Sequence, residues 1–199
     1  MENKVHQFIS PDFANFLFDE TIRSETAEED VTFVHGSKIE YANPSFEWLL
    51  LYLQKPIEEI YGQKLWPSYS YTRVYMEGQE LTPHFDREAA QVSCTITLGY
   101  ISHYVWPIFV DKIPYALQPG QGVVYEGYEQ LHWREPFRKM DPKEEQNIYW
   151  SQVFLHYIIA GGKFDTPEFR YDGKFRKQNG LSLPEGATAH PDSTGASDE

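Results

Sequence analysis

The apolar positions near the start of the chain recur at the spacing of an amphipathic helix. Ser10 and Pro11 supply an N-cap residue followed by proline at the first helical position. This pattern predicts a first helix over residues 11–22, then an acidic connection and a short strand at residues 32–35. The apolar residues on which the helix prediction depends are Phe13, Phe16 and Leu17.

A second amphipathic stretch begins at Asn43 and Pro44, which repeat the cap and proline signal. Pro56 predicts the start of a further short helical piece, which Gly62 ends. We interpret these helices as a buttress for the core. The apolar stripe follows the i, i+3, i+4, i+7 pattern and consists of Phe46, Leu49, Leu50 and Leu53.

From Ser68 onward the helical period gives way to short β-rich runs separated by turn residues. Many short strands at roughly ten-residue spacing predict an antiparallel sandwich or barrel, so the fold class is mainly β with flanking helices. The predicted strands cover residues 68–76, 91–100, 104–110, 114–118, 122–127 and 147–158.

The length of 199 residues fits one domain with a tail. We predict an N-terminal helical buttress over residues 1–66, a β core over 67–160, a C-terminal extension over 161–180 and a disordered tail over 181–199. The final nineteen residues contain four acids and no base. Such a composition buries too little apolar surface to offset the entropy of ordering.

Composition and charge narrow the class of protein. With 41% hydrophobic and 16% aromatic residues, the chain can bury a sizeable core. The single cysteine, Cys94, excludes an internal disulfide and a cysteine-based zinc cluster, and we expect it to be a small core residue. A net charge of −13 works against binding to a phosphate backbone, so nucleic acid is a disfavoured partner.

The chain shows no sign of membrane insertion. Its first residues lack a basic end followed by an apolar run, and the longest strongly apolar stretch, at residues 48–53, is far too short to span a bilayer. We therefore expect a soluble, cytoplasmic protein without a membrane partner, and the sequence leaves its oligomeric state unknown.

The most distinctive chemistry lies in the stretch TPHFDR at residues 82–87. On an extended segment His84 and Asp86 leave the same face, and Phe85 turns the other way toward the apolar layer. An imidazole beside a carboxylate supplies two ligands of the 2-His-1-carboxylate arrangement that leaves open positions on Fe(II). The competing interpretation is an accidental surface pair, because the chain has seven histidines and thirty acidic residues.

A third ligand can come from His132, which follows a turn and begins a predicted strand. It lies 48 residues after His84, enough for four antiparallel strands that return the chain to its starting side. His156 alternates with Phe154 and Ile158 on an apolar strand, and we interpret it as a hydrogen-bonded core histidine.

In order and spacing these segments resemble the Fe(II)/2-oxoglutarate-dependent oxygenases, particularly their prolyl-hydroxylase-like branch. The resemblance implies a double-stranded β-helix (jelly-roll) core. It also implies His84, Asp86 and His132 as iron ligands, and 2-oxoglutarate and dioxygen as cosubstrates. Because Asp86 keeps the carboxylate, the implied reaction is hydroxylation. The resemblance covers about residues 66–159 and depends on YTRVYMEGQELTPHFDR, LQPGQGVVYEG, LHWREPF and SQVFLHYI.

The far carboxylate of 2-oxoglutarate requires a fixed cation, and a guanidinium pairs with both oxygens. Arg134 is two residues beyond His132, so on a strand both share a face about 6.5–7 Å apart. In the family the Lys or Arg follows the distal histidine by about ten residues on the next strand. The matching window here, around Lys143, is a charged loop, so Arg134 is the first candidate and Arg138 the second.

Arg73 and Tyr75 share one face of their predicted strand. In the resemblance the tyrosine before the glycine turn donates to the cosubstrate, and a satisfied core tyrosine is the alternative. Arg87, beside Asp86, is expected in a rim ion pair or toward the substrate.

Two other functions remain open: a non-catalytic jelly-roll binding or structural module, and a cupin-type metalloenzyme that does not use 2-oxoglutarate. Bound iron separates the first from an oxygenase, and dependence on 2-oxoglutarate separates the second. The sequence does not name the substrate. A peptidyl prolyl residue or a small metabolite both fit, and the former rests on family analogy alone.

Overall fold

The structure is a computed structural model that describes residues 3–141 and 145–171. In this part of the chain it contains helices α1, Pro11–Arg23, and α2, Pro44–Tyr61. The strands are β1 Val5–Gln7, β2 Glu28–Glu29, β3 Lys38–Tyr41, β4 Leu65–Met76, β5 Leu81–His84, β6 Val92–Ile101, β7 Ile108–Val110, β8 Ile113–Tyr115, β9 Gln121–Tyr125, β10 His132–Arg134 and β11 Tyr149–Ile159.

The strands form two antiparallel sheets. The larger has seven strands in the order β1-β9-β6-β11-β4-β3-β2, and the smaller has four in the order β5-β10-β7-β8. Apolar side chains of β7 and β8 pack against Val123 and Tyr125 of β9, which joins the sheets across the interior. This architecture confirms the prediction of a mainly β, jelly-roll core.

Strand β6 shows how alternation divides the molecule into two layers. Val92, Cys94, Ile96 and Leu98 pack against the helices, so Cys94 is a buried core residue as predicted. The residues between them are polar: Ser93, Thr95 and Thr97 are fully buried and turn into the barrel. The barrel interior is therefore lined with hydroxyl groups.

Both helices lie on the outer face of the larger sheet, which confirms their predicted role as a buttress. Ser10 caps α1, because its hydroxyl accepts a hydrogen bond from the Phe13 N–H at 3.2 Å. Gly62 ends α2 in the left-handed region, with φ of 85°.

The prediction of a separate helical piece at Pro56 was wrong, because α2 continues through it. Pro56 has no N–H to donate to the carbonyl of Tyr52, four residues earlier, and Tyr52 is exposed. On the opposite side Leu53 and Ile57 are buried, and their packing against the sheet holds the helix together.

The predicted strand at residues 32–35 was also wrong, because this segment forms bends and a turn. The Asp30 carboxylate accepts hydrogen bonds from the N–H groups of Thr32, Phe33 and Val34, at 2.8, 3.0 and 2.9 Å. These bonds replace those of a strand ladder. The strand in this region is β3, which the sequence did not indicate.

The remaining predicted strands match the structure in order, with β7 and β8 shorter than expected and both β1 and β2 unpredicted. The predicted tail at 181–199 lies outside the described residues, and the division into regions stays a prediction. Within the described chain, neither helix is both long and apolar enough to cross a bilayer.

Candidate metal centre

The small sheet brings His84 and His132 together. Strands β5 and β10 pair antiparallel with these two residues opposite one another, and their ring centroids lie 4.2 Å apart. Asp86 follows the end of β5, and its N–H donates to the Gly127 carbonyl at 2.8 Å. Its Oδ1 lies 3.6 Å from Nε2 of His84 and 3.5 Å from Nε2 of His132. The three groups therefore converge as the sequence predicts.

Hydrogen bonds fix the direction of both imidazoles. Nδ1 of His84 lies 2.8 Å from the Thr82 carbonyl, and Nδ1 of His132 lies 2.9 Å from the Gln130 carbonyl. Each carbonyl can only accept, so both Nδ1 atoms carry protons, and in the neutral tautomer of each ring the Nε2 lone pair faces Asp86.

Three electron-pair donors thus meet within 4.8 Å of one another, which is unfavourable unless a cation lies between them. Burial opposes ionisation of Asp86, but the adjacent imidazoles of His132 and His84 hold its pKa well below the usual range. Two anchored imidazoles and one carboxylate fit the donor set that non-haem Fe(II) takes.

Two residues that the sequence did not indicate position the carboxylate. Ser93 on β6 donates from Oγ to Oδ2 of Asp86 at 2.7 Å. Gly127 lies so close that a Cβ atom there would collide with the same Oδ2. The polar alternation of β6 was the only signal in the sequence for Ser93.

Arg134 lies on the same strand face as His132 and is 1% exposed. Its guanidinium donates to the Trp106 carbonyl and to Oε1 of Gln152, and it packs on the rings of Trp106 and Trp150 at 4.7 and 5.3 Å. Among the described residues no carboxylate pairs with it. Burial lowers the pKa of Arg134 to about 10, so at neutral pH it is a buried cation without a buried anion.

The barrel interior around Arg134 also contains buried polar atoms that have no hydrogen-bond partner within the described chain. Folded proteins satisfy most such atoms, so a cluster of them indicates a polar ligand. The predicted cosubstrate residue Tyr75 is among them and is fully buried. The atoms are Tyr75 Oη, Thr95 Oγ1, Thr97 Oγ1, Tyr125 Oη, Arg134 Nε, Trp150 Nε1 and Gln152 Nε2.

Of the other predicted cosubstrate residues, Arg73 lines the cavity beside the metal ligands but is engaged by other groups. The Arg73 guanidinium donates to the Asp30 carboxylate and to Ser37 Oγ, both at 2.6 Å. Arg138 is exposed, and the structure does not bring it to the metal ligands. Lys143 lies outside the described residues. Arg87 donates to the Tyr41 hydroxyl at 2.8 Å.

A cavity of about 440 Å³ opens beside the metal ligands. Its walls combine aromatic side chains of β3, β4 and β11 with the Asp30–Arg73 ion pair and Arg87, and Phe33 and Phe85 lie at the rim. The expectation that Phe85 turns into the apolar layer was wrong, because it is 56% exposed. Strand β5 ends at His84, so strict alternation does not continue to Phe85.

His156 also lines this cavity, although it is only 5% exposed. Its Nδ1 lies 2.9 Å from Ser93 Oγ, and its ring centroid lies 4.5 Å from that of Tyr69. It is a hydrogen-bonded core histidine as predicted, and it also faces the site. Burial lowers the pKa of His156 to about 4.

No protein-family model matches the chain, and no curated protein matches its sequence. Its fold is similar to that of solved structures named as 2-oxoglutarate-dependent enzymes or prolyl hydroxylases. A prolyl-4-hydroxylase from Pseudomonas putida superposes with a TM-score of 0.55 at 17% identity, over 77% of this chain and 91% of that chain. The collagen prolyl hydroxylase vCPH of Paramecium bursaria Chlorella virus-1, in complex with 2-oxoglutarate, gives 0.57 at 12%, over 80% and 97%.

SnoN, a non-haem α-ketoglutarate-dependent epimerase from nogalamycin biosynthesis, gives a TM-score of 0.59 at 12% identity, over 96% of this chain and 91% of that chain. At identities this low, the comparisons establish a shared fold and nothing further. The chemistry has to be argued from the residues of this chain.

Proposed function

We propose that this protein is an Fe(II)- and 2-oxoglutarate-dependent oxygenase that hydroxylates a small substrate in the cavity beside His84, Asp86 and His132. The observation that carries the proposal is the buried Arg134 cation, which lies two residues from a metal ligand and lacks a carboxylate partner in the described chain. The metal donor set alone would fit several reactions.

The three converging ligands support the metal assignment. Two neutral imidazoles and one carboxylate would hold Fe(II) and leave positions open for other ligands. The carbonyls of Thr82 and Gln130 orient the imidazoles, and Ser93 orients the carboxylate. Such outer hydrogen bonds maintain the ligand geometry while a substrate enters and leaves.

The environment of Arg134 supports the cosubstrate assignment. An uncompensated buried charge is unfavourable by several kcal/mol, whereas a buried charge that pairs with a carboxylate is tolerated. A dicarboxylate with one end at the metal would present its other end to Arg134, with Tyr75 and the threonine hydroxyls as further donors. When bound, Fe(II) and 2-oxoglutarate would supply the electrons that activate dioxygen, so that one oxygen atom enters a substrate C–H bond and the other leaves in succinate, with release of carbon dioxide.

Neither rival function accounts for both the converging metal ligands and the buried Arg134. A binding or structural jelly roll has no use for three lone pairs that face one point. A cupin-type metalloenzyme without 2-oxoglutarate would leave Arg134 and its orphaned polar neighbours unexplained. The prolyl-hydroxylase-like branch and the peptidyl prolyl substrate rest on analogy. We favour a small metabolite, because the cavity volume is within the range of small-molecule sites.

The test is 2-oxoglutarate binding and succinate formation by the purified protein with Fe(II). We expect metal-dependent binding of 2-oxoglutarate and slow succinate release without added substrate. Arg134→Gln should weaken 2-oxoglutarate binding at least about tenfold, or 1.4 kcal/mol, at unchanged metal affinity. Arg138→Gln is the matched control, and binding that depends on Arg138 but not on Arg134 would overturn the assignment.

A further inference from the structure

The Ser93 hydroxyl connects the metal carboxylate to a histidine outside the ligand set. Its Oγ lies 2.7 Å from Oδ2 of Asp86 and 2.9 Å from Nδ1 of His156. A contact with the Ala90 carbonyl at 3.4 Å is too long to compete. The hydroxyl has one proton, and the ionised carboxylate can only accept. Ser93 therefore donates to Asp86.

This assignment fixes the tautomer of His156. Because the single hydroxyl proton of Ser93 is donated to Asp86, Ser93 can only accept a hydrogen bond from the imidazole. Nδ1 of His156 therefore carries the proton. The ring is neutral at physiological pH, since burial lowers its pKa. In a neutral ring with Nδ1 protonated, Nε2 is a hydrogen-bond acceptor.

Nε2 of His156 has no hydrogen-bond partner within the described chain, and the residue lines the cavity while 95% buried. A substrate that covers Nε2 without offering it a donor would bury an unsatisfied acceptor, which is unfavourable by about 1–3 kcal/mol. The cavity therefore contains a directed acceptor, one serine hydroxyl away from a metal ligand.

The surroundings limit the kind of donor that would suit this acceptor. Tyr71 and Phe154 provide apolar rings on the same cavity wall. The charged or titratable groups that act on His156 are Asp86, Arg87, His132 and His84. A divalent metal would more than offset the single negative charge of Asp86, and Arg87 already acts on His156 as a positive charge, so an ammonium group at Nε2 is disfavoured.

We propose that the substrate is a ring-bearing small molecule with an uncharged donor, a hydroxyl or N–H group, that hydrogen-bonds to Nε2 of His156. Its ring packs against Tyr71 and Phe154. His156 is then the specificity-determining residue, because it holds the donor-bearing part of the substrate next to the metal ligands. The inference rests on the proposed function for its catalytic meaning, but the recognition it describes requires only the cavity and the metal site.

Matched probes test the acceptor without turnover. Cyclohexanol and phenol carry the donor, and their methyl ethers, methoxycyclohexane and anisole, lack it. Binding is measured by ligand-observed NMR on protein loaded with redox-inert Zn²⁺ and 2-oxoglutarate. We expect each alcohol to bind about tenfold more tightly than its ether, which corresponds to about 1.4 kcal/mol. Equal affinities, or no detectable binding of either probe, overturn the proposal.

Two substitutions distinguish the roles of the two ring nitrogens of His156. His156→Asn keeps an N–H near the position of Nδ1 for Ser93 but removes the acceptor at Nε2, so the preference for alcohols should fall to about twofold or less. His156→Gln can bring an amide oxygen to the position of Nε2, so the preference should survive. A preference that persists in His156→Asn overturns the proposal.

The wild-type protein offers a readout that does not depend on either variant folding. The ¹⁵N shifts of the His156 imidazole should identify Nδ1 as protonated, and the Nε2 shift should move when cyclohexanol is added. A ring protonated at Nε2 contradicts the inference. Repeating the titration with Zn²⁺ alone distinguishes the two proposals: an alcohol preference without any 2-oxoglutarate binding would remove the proposed function and leave the inference standing.

Discussion

At the scale of single residues, Gly127 shows how a missing side chain positions the metal carboxylate. A Cβ atom there would collide with Oδ2 of Asp86 and lie 2.5 Å from Oγ of Ser93. The backbone at Gly127 requires no left-handed conformation, so close approach is the reason for glycine. The residue that donates to Asp86 and the residue that makes room for it are 34 positions apart in the sequence.

Gly127→Ala should therefore displace Asp86. We expect metal affinity to fall at least about tenfold and stability to fall by about 1–3 kcal/mol from overpacking. Isothermal titration with Zn²⁺ and urea unfolding measure the two effects. Gly78→Ala is the control, because its φ of 85° strains an alanine but nothing lies within 4 Å of its Cβ. It should lose stability while keeping metal affinity; a loss of metal affinity in both variants would refute the local explanation.

Ser93→Ala removes the donor to Asp86 at constant fold. Outer hydrogen bonds of this kind contribute about 10–100-fold to metal affinity, and we expect a decrease in that range in Zn²⁺ titrations. Thr95→Val is the matched control, since Thr95 is the next inward residue of β6 and its hydroxyl has no partner within the described chain. If Thr95→Val lowers the metal affinity as much as Ser93→Ala does, loss of the hydrogen bond to Asp86 is not the cause of the decrease.

At the scale of elements, the turn that follows Asp30 covers one side of the metal site. The Asp30 carboxylate holds the N–H groups of this turn and pairs with buried Arg73, and the turn places Phe33 edge-on against His84 with ring centroids 5.1 Å apart. Burial opposes ionisation of Asp30, but the turn N–H groups and Arg73 lower its pKa.

Asp30→Asn should leave the Arg73 guanidinium buried without its counterion and destabilise the protein by about 3–5 kcal/mol. Backbone amides of residues 32–34 should exchange with solvent faster, which hydrogen-exchange mass spectrometry detects. Because the folded-state pKa of Asp30 is depressed, its contribution is complete above the unfolded value of 3.8 and is lost as the pH falls below it. Asp19→Asn removes an exposed partner of Arg23 and should change stability by less than about 1 kcal/mol.

A comparison of helix α1 with the turn at residues 31–36 shows which elements the sequence could predict. Helix α1 was predicted within one residue of its end, because its cap, proline and apolar period are local signals that agree. The turn at residues 31–36 was mistaken for a strand, because its apolar residues alternate while the deciding interaction is a carboxylate that also needs Arg73, 43 positions away. Pro56 misled for a similar reason: burial of Ile57 outweighs the local signal of the proline.

At the scale of the whole molecule, pairing between β5 and β10 is what creates the ligand set. The convergence of His84, Asp86 and His132 could be predicted only through the resemblance to a known arrangement, because no local pattern gives the register of two strands so far apart. The contacts of Ser93 and Gly127 with Asp86, and the cavity-facing side of His156, could not be predicted from the sequence. These features depend on which side chains of β6 and β11, and which turn residues, lie next to Asp86. The packing of the two sheets determines those contacts.

A metal that bridges the two strands should stabilise the whole fold. Binding to the native state alone adds RT ln(1 + [L]/Kd), about 2.7 kcal/mol at a ligand concentration of 100 Kd. For a chain of this size that corresponds to a rise in Tm of roughly 5–10 °C. Scanning calorimetry of the metal-stripped protein with and without Zn²⁺ or Fe(II), the latter under anaerobic conditions, measures the shift.

His132→Ala should abolish this rise while the metal-free protein keeps its fold, because the variant loses one of three ligands and β10 retains its pairing with β7. His103→Ala, at an exposed histidine outside the ligand group, should keep the full shift. The comparison is decisive because both variants remove an imidazole and only one of the two faces Asp86. Equal shifts in the two variants would mean that the metal binds elsewhere, and that the juxtaposition of His84 and His132 across the small sheet has another cause.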